Sequence, residues 1–390
     1  MNPVELSFAE RCDWLRLART PRIGPISFAR LLARFGDAAA AIDALPDLAR
    51  TSGSARPVIP SRAAAEAELE TIDRAGVRLI ANCETDFPHA LACIPAPPPL
   101  ILTMGRIELA HQPCCAMVGS RNASAAGLRL SRELAHGLGD AGITIVSGLA
   151  RGIDGACHAG ALGTGTIAVL AGGLDYIYPP EHYELHHAIA EEGLLVSEVA
   201  LGTLPTARDF PRRNRLISGL SLGTLVIEAA LKSGSLITAR YAAEQGREVM
   251  AIPGSPLDPR ARGTNQLLRD GAHLIETVED VLSILASTPA LQPPADLPGT
   301  PGLEDEALAD LEPDWPELPA DAPEVEQDAP QDAPASRVRA LLSPTPISAD
   351  ELARQAGIPS SLVQAIVLEM ELNGEVEILP GGLLQSSASS

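Results

Sequence analysis

Residues 115–147 read CAMVGSRNASAAGLRLSRELAHGLGDAGITIVS, and the fold class can be inferred from their pattern. A short apolar run is followed by a loop with glycine and serine, a segment of helical periodicity and a second apolar run. A strand, a helix and another strand in this order form a β-α-β unit, whose strands are parallel and whose crossover is right-handed. The stretch therefore predicts a parallel sheet with a loop at the carboxyl end of its first strand.

The same alternation continues to about residue 285. Further strands are predicted at TIAVLA, LLVSE, TLVIEA, EVMAI and HLIE, and further helices at PEHYELHHAIAEEG and SLITARYAAEQG. We expect an α/β fold over residues 73–287, a Rossmann-like doubly wound parallel sheet with helices on both faces. Ligands of such sheets bind at the carboxyl ends of the strands, where loops lead into helix N-termini that attract anions.

The composition is that of a soluble protein with a substantial core. The chain has 390 residues, 46% of them hydrophobic, which favours two or three domains. Charges interrupt the N-terminal apolar residues, and no apolar run reaches the length that a bilayer requires, so we expect a cytoplasmic protein. The six cysteines lack C-x-x-C spacing and are expected to be reduced and buried, and no metal or cofactor site is predicted.

Two smaller modules flank the sheet domain. Residues 1–72 are predicted to be helical, and TPRIGPISFARLLARFGD resembles one helix-hairpin-helix, which either touches a DNA phosphate or only packs. Residues 336–390 have the pattern of a winged helix, with three helices and a turn containing PGG. Its segment 359–373 has no Arg or Lys, so we expect this module to contact protein rather than read DNA.

The negative charge is concentrated in one segment. Residues 288–335 contain 11 prolines, 13 acidic residues and no basic residue, so we expect an extended linker there. Without these acids the formal net charge of −21 becomes −8. Residues 206–275 instead hold ten Lys or Arg against six Asp or Glu. This basic region contains FPRRNRLISGL, residues 210–220, and indicates a site for an anionic ligand.

Two loops of the predicted sheet carry groups suited to phosphate. The loop after the first strand offers Gly119 for close backbone approach, the hydroxyl of Ser120 and the planar fork of Arg121. A later loop combines a cation, two hydroxyls and free helix N–H groups. Its residues are Lys232, which is the only lysine of the chain, Ser233, Gly234 and Ser235.

A third loop, SGLARGIDGACHAGAL, places Asp154 and His158 four residues apart on one helix face. Acid-base or metal chemistry is one interpretation, and the one we favour is an aspartate near a helix N-terminus with a packed histidine. Walker A and G-x-G-x-x-G patterns do not occur at the expected places, which disfavours nucleotide hydrolysis and dinucleotide binding.

Six stretches in consistent order resemble the DNA-processing protein A family, also called Smf. They are MVGSRNASAAG, VSGLARGIDGACHAGAL, VLAGGLDYIYPPEH, FPRRNRLISGLS, VIEAALKSGSLITARYAAEQGREVMAIPG and GTNQLLRDGA. The resemblance covers about residues 77–285 and implies a bacterial cytoplasmic protein without catalytic activity or cofactor. It further implies a protein that binds single-stranded DNA, forms a homodimer through the Rossmann-like domain and helps to load the recombinase RecA in natural transformation.

The resemblance also implies site residues. The pocket would contain the residues of the two phosphate loops, and the F-P-x-R-N-R motif would add Phe210, Arg212, Asn214 and Arg215. Cations would neutralise phosphates, and Phe210 would stack on a base.

Two other functions stay open at this point. Nucleoside-monophosphate phosphoribohydrolases share this type of sheet and carry P-G-G-x-G-T-x-x-E, and SGLSLGTLVIEAA keeps Gly223, Thr224 and a displaced glutamate, Glu228. The other alternative is an interaction scaffold whose basic region contacts an acidic protein.

Overall fold

The computed structural model describes residues 4–51, 56–292 and 333–387, which form three packed units. The first unit is helical and consists of α1 (Phe8–Ala18), α2 (Pro25–Phe35), α3 (Ala38–Thr51) and α4 (Arg62–Arg74). A capping box starts α1, because Ser7 and Glu10 each accept a hydrogen bond from the backbone N–H of the other. Trp14 meets Phe28 edge to face, with 5.0 Å between ring centroids, and so joins α1 to α2.

The central unit is built on one sheet. Its strands are β1 (Arg78–Ala81), β2 (Leu100–Gly105), β3 (Cys114–Val118), β4 (Thr144–Ser147), β5 (Thr166–Val169), β6 (Leu194–Ser197), β7 (Gly223–Val226), β8 (Glu248–Ala251) and β9 (His273–Leu274). Their order is β1-β2-β6-β5-β4-β3-β7-β8-β9. The strands from β6 to β9 in this order pair in parallel, which confirms the predicted sheet. The antiparallel edge formed by β1 and β2 was not predicted.

Helices cover both faces of this sheet. They are α5 (His89–Ala92), α6 (Ala125–Asp140), α7 (Ile153–Ala161), α8 (Tyr183–Glu192), α9 (Asp209–Gly219), α10 (Gly234–Glu244), α11 (Arg262–Arg269) and α12 (Val278–Ser287). Alternate residues of β3 belong to different cores, with Ala116 and Val118 in one and Cys115 and Met117 in the other. The sheet is therefore doubly wound, and the predicted fold class is confirmed.

Strand β3 lies where the strand order reverses. Its Ala116 pairs with Val146 of β4 on one side and with Thr224 of β7 on the other. The chain leaves β3 toward β4 and returns later to β7, so the loops after β3, β4 and β7 meet at one edge. A crevice opens at such a switch point, and it is the usual ligand site of open α/β sheets.

The last unit has the predicted winged-helix form. It contains α13 (Pro334–Leu341), β10 (Ile347–Ser348), α14 (Ala349–Ala356), α15 (Ser360–Leu372), β11 (Val376–Leu379) and β12 (Leu383–Ser386), with the strands in the order β10-β12-β11. Most of the predicted acidic linker, residues 293–332, lies outside the described residues.

The winged helix packs on the central unit through specific contacts. Arg260 donates to the carbonyl oxygens of Ala340 and Leu342 over 2.9 and 2.7 Å. Gln355 of α14 donates to the carbonyl of Ala125, the first residue of α6, over 3.0 Å. Ala125 follows the loop after β3, and the carbonyl of Arg260 accepts from the N–H of Ala229 after β7, so the C-terminal module packs next to both loops.

Within the described ranges, no helix is both long and apolar enough to cross a membrane. All six cysteines are free thiols, and five of them are buried. Burial raises the pKa of Cys114 and Cys115 to about 12, so both thiols stay protonated at neutral pH.

Candidate nucleic-acid interface

A pocket of about 170 Å³ occupies the switch-point crevice, and we call it the switch-point pocket. It lies between the loops after β3 and β7 and the first turns of α9 and α10. Nine of the eleven predicted site residues line it: Gly119, Ser120, Arg121, Phe210, Asn214, Lys232, Ser233, Gly234 and Ser235. The fold thus brings together three stretches that are up to about a hundred residues apart in the sequence.

Close backbone packing shapes the loop after β3. The N–H of Ser120 donates to the carbonyl of Glu228 over 2.7 Å, which ties this loop to the loop after β7. A Cβ atom on Gly119 would lie 2.5 Å from Cγ1 of Ile153 and 3.0 Å from the carbonyl oxygen of Glu228. Position 119 therefore requires glycine, and its backbone, together with Ser120 and Arg121, borders the pocket.

The loop after β4 borders the pocket with Ala150 and leads to Asp154, which also lines it. Gly152 has a φ of 74°, and Ile153 donates its N–H to the carbonyl of Ser120 over 3.2 Å. The Asp154 carboxylate accepts from the N–H of Gly148 over 3.2 Å, near the start of α7. Burial raises the pKa of Asp154, against the opposing effect of the Arg213 guanidinium. This agrees with the interpretation of Asp154 as a helix N-terminal residue.

His158 is packed rather than presented to the pocket. It is fully buried, and its Nδ1 lies 2.7 Å from Oγ1 of Thr166. Since the Thr166 hydroxyl donates to the carbonyl of Ile145, Nδ1 of His158 carries the proton of this contact. Burial lowers the pKa of His158 to about 3, so the ring is neutral at physiological pH.

Helix α9 was not predicted as a helix. It directs the arginines of the basic region toward different neighbours. Phe210, Arg213, Asn214 and Ile217 share one face by helical spacing, and all four line the pocket. Arg213 was not selected from the sequence. Its guanidinium is buried and donates to the carbonyl of Gly148 over 2.6 Å and to that of Val169. Counted from Phe210, the F-P-x-R-N-R motif places its first arginine at Arg213 rather than at Arg212, and this was the signal that pointed to it.

The structure does not bring Arg215 or Arg212 into this pocket. The Arg215 side chain is 4% exposed, pairs with Glu198 and donates to the carbonyl of Ala96 over 2.7 Å. Arg212 is half-buried and lines a neighbouring pocket on the other side of the first turn of α9. Arg215 thus holds α9 in place rather than facing the pocket.

The N-terminus of α10 supplies hydroxyls and backbone donors. Ser233 is its N-cap, and the hydroxyl oxygens of Ser233 and Ser235 lie 2.7 Å apart. Lys232 precedes the cap and is exposed. A cation and a helix N-terminus side by side favour an anion at this point.

Phe210 is the aromatic group of the pocket. It is half-buried, and the guanidinium carbon of Arg121 lies 5.3 Å from its ring centroid, within cation–π range. Tyr178 packs on the same ring edge to face, with centroids 5.8 Å apart. The two neighbours fix the orientation of Phe210 at the pocket wall.

Glu228 is turned away from the pocket and does not line it. Its carboxylate accepts from the N–H of Ser124 over 2.8 Å and from the Ser124 hydroxyl at the N-terminus of α6. Burial raises the pKa of Glu228. The glutamate on which the phosphoribohydrolase alternative rests is thus used to fix two loops to each other.

The charge of the pocket is positive. Among its lining residues are the cations Arg121, Arg213 and Lys232 and one carboxylate, Asp154. Three serine hydroxyls, the N-terminus of α10 and one aromatic ring complete the lining. These groups together suit a sugar–phosphate chain, because they match phosphate charge, hydrogen-bond acceptors and the face of a base.

Sequence comparison accounts for all three units. Residues 78–286 match the sequence model of DNA recombination-mediator protein A, residues 8–71 match the DprA-like N-terminal HHH domain, and residues 320–382 match the DprA winged helix domain. Protein Smf of Synechocystis sp. is 32% identical over 390 residues, which cover 96% of this chain and 98% of that protein. Protein Smf of Escherichia coli is 38% identical over 83% of this chain and 81% of its own length.

Solved structures agree with this similarity. The X-ray structure of DNA processing protein A (DprA) from Streptococcus pneumoniae aligns with a TM-score of 0.58 and 33% identity, over 72% of this chain and 98% of that one. A Helicobacter pylori DNA processing protein A, whose structure addresses its single-stranded DNA binding mode, aligns with a TM-score of 0.50 and 30% identity, over 54% and 95%. With the matched domains in the same order, these similarities establish that the chain belongs to the DprA/Smf family of DNA recombination-mediator proteins.

Proposed function

We propose that this protein binds single-stranded DNA without strong sequence preference and helps to load RecA recombinase on it during natural transformation and recombination. Arg121, Lys232 and Phe210 meet in the switch-point pocket, and this arrangement supports the proposal most directly. The cations neutralise phosphates, and the ring of Phe210 stacks on any base, so neither contact depends on sequence. The single-stranded DNA binding of the Helicobacter pylori relative supports this assignment.

The remaining site residues supply further hydrogen bonds to the strand. Gly119, Ser120, Ser233, Gly234 and Ser235 offer backbone N–H groups or hydroxyls to phosphate oxygens. Asn214 donates from its side-chain amide to the carbonyl of Gly234 over 3.4 Å, so α9 and α10 present their groups together. Arg212 and Arg215 differ in role: Arg215 positions α9, and Arg212 lines the neighbouring pocket.

The function is that of a binder rather than an enzyme. Glu228 hydrogen-bonds Ser124 and does not border the pocket, which counts against the phosphoribohydrolase alternative. We further propose a cytoplasmic homodimer associated through the Rossmann-like domain. Two linked pockets would hold one strand with higher avidity than either pocket alone.

The test is fluorescence-anisotropy binding of labelled oligo-dT and of matched duplex DNA across a salt series. Wild type should bind the single strand more tightly, with an affinity that falls as salt rises, by a log–log slope of about −0.7 for each phosphate contact. Arg121→Ala/Lys232→Ala should lose most of this affinity. Arg129→Ala is the matched control, because Arg129 is exposed on α6 and pairs with Glu133 outside the pocket.

Binding that is indifferent to the double substitution would overturn the pocket assignment. Release of free base from AMP by the purified protein would instead bring the enzyme forward. RecA loading is then measured as RecA filament formation on oligo-dT with and without the protein, and no acceleration would contradict the loading role.

A further inference from the structure

A second pocket lies beside the switch-point pocket, and we call it the hairpin pocket. It has a volume of about 140 Å³ and lies between the α1–α2 hairpin and the central sheet. Arg213 lines both pockets, which flank the first turn of α9. The hairpin pocket and the switch-point pocket are therefore neighbours on the two sides of this turn.

Arginines from two different units line the hairpin pocket. Arg212 comes from α9 and is half-buried, and Arg19 comes from the end of α1. Arg19 pairs with Glu68 over 3.0 Å and donates to the carbonyl of Glu198 over 3.1 Å. The helical unit and the sheet domain thus present cations to the same space.

The acids of this pocket already have donors. Glu198 pairs with the buried Arg215, and Asp209 accepts from the N–H and the hydroxyl of Thr206, each over 2.7 Å. Their carboxylates are thereby engaged on the protein side. The pocket lining thus carries three arginines, Arg19, Arg212 and Arg213, against two carboxylates, so its formal charge is positive.

Two exposed arginines are the sequence neighbours of residues that line the pocket. Arg22 directly precedes the pocket-lining Ile23 in the hairpin turn, where its φ is 72°. Arg208 directly precedes the pocket-lining Asp209 at the start of α9. A left-handed backbone conformation is uncommon for arginine, and Arg22 adopts it in an exposed turn.

We propose that the hairpin pocket is a second subsite for the phosphodiester backbone of a single strand. The strand leaves the switch-point pocket, crosses the first turn of α9 and passes between Arg212 and the hairpin turn that holds Arg22. This inference rests on the proposed function, since it extends the same strand. It gives the helical unit a role in binding besides packing, and it gives Arg212 a phosphate contact outside the first pocket.

The test exploits the length of the ligand. An oligo-dT of about 4 nucleotides fills one subsite, whereas one of about 16 nucleotides reaches both, and binding of each to the full chain is measured by anisotropy. Arg212→Ala and Arg22→Asn should weaken binding of the long oligonucleotide severalfold and make its salt slope shallower by about 0.7. Asn removes the charge of Arg22 and tolerates the left-handed backbone.

Binding of the short oligonucleotide should be unchanged in both variants. Arg50→Ala is the matched control, because it removes an exposed arginine of the same helical unit that does not line the hairpin pocket. Equal losses for both lengths, or no loss for the long one, would overturn the second subsite. If wild type binds neither oligonucleotide, the proposed function itself fails, which is a different result from failure of the extension alone.

Discussion

The guanidinium of Arg213 donates a hydrogen bond to the carbonyl oxygen of Gly148 over 2.6 Å, just beyond the end of β4. The same guanidinium bonds to Val169 at the end of β5. A Cβ atom on Gly148 would lie 2.7 Å from this group, so the approach needs glycine. These bonds fix α9 to the strand ends and thereby set where Phe210 and Asn214 enter the pocket.

Arg213→Ala should be strongly destabilising. It leaves two strand-end carbonyls without their donor and the buried Asp154 without its nearby cation, and loss of one partner of a buried ionic group costs about 3–5 kcal/mol. Urea unfolding followed by circular dichroism measures the change. Arg208→Ala, an exposed charge change at the start of the same helix, should stay within about 0.5 kcal/mol. Equal midpoints for Arg213→Ala and wild type would refute this role.

Gly152→Ala should damage both stability and binding. Gly152 has a φ of 74°, and an added Cβ would lie 2.3 Å from the carbonyl oxygen of Ser120, so the loops after β3 and β4 must separate. Gly142→Ala is the control, because its φ is 82° but nothing lies within 4 Å of the added atom. The control should cost about 1–2 kcal/mol and retain affinity for oligo-dT, whereas Gly152→Ala should lose more stability and weaken binding. Similar behaviour of the two variants in thermal unfolding and anisotropy would contradict the expectation.

His158 should make the protein sensitive to acid. Its pKa falls from 6.5 when unfolded to about 3 in the fold, so between these values the unfolded state binds the extra proton. Stability should therefore fall as the pH drops below 6.5, by up to about 1.4 kcal/mol per pH unit. His158→Asn keeps a donor toward Thr166 without the titrating ring, so its stability should vary less with pH. Urea midpoints of both proteins at pH 7 and pH 5 measure this difference. The same change with pH in wild type and in His158→Asn would disprove this role of His158.

Arg260→Ala should loosen the winged helix from the central unit. Arg260 supplies hydrogen bonds to the carbonyls of Ala340 and Leu342, and its own carbonyl accepts from the N–H of Ala229 in the loop after β7. Hydrogen exchange should speed up in α13, measured by mass spectrometry of the full chain. Arg262→Ala changes an exposed arginine two residues away and should leave exchange in α13 unaltered. Unchanged protection in the Arg260 variant would show that other contacts hold the module.

The parallel strands and the two phosphate loops were predictable because their signals are local. A buried parallel strand needs a continuous apolar run, and a loop into a helix needs glycine and a capping residue, so neighbouring residues suffice to reveal both. The winged helix followed in the same way from its own periodicity. The domain boundaries at residues 72, 287 and 335 stay predictions. The edge strands β1 and β2 and helix α9 were not predicted, because their secondary structure depends on packing against distant elements.

Local sequence was enough to predict the doubly wound sheet, the order of the modules and the loops that border the pocket, since apolar runs, helical periodicity and glycine loops are properties of adjacent residues. The role of each arginine of α9, by contrast, depends on the packing of the folded chain. Arg212, Arg213 and Arg215 are alike in the sequence, yet one faces the hairpin pocket, one bonds strand-end carbonyls and one pairs with Glu198. This is because a helix turns successive side chains toward different neighbours, and those neighbours come from elsewhere in the chain.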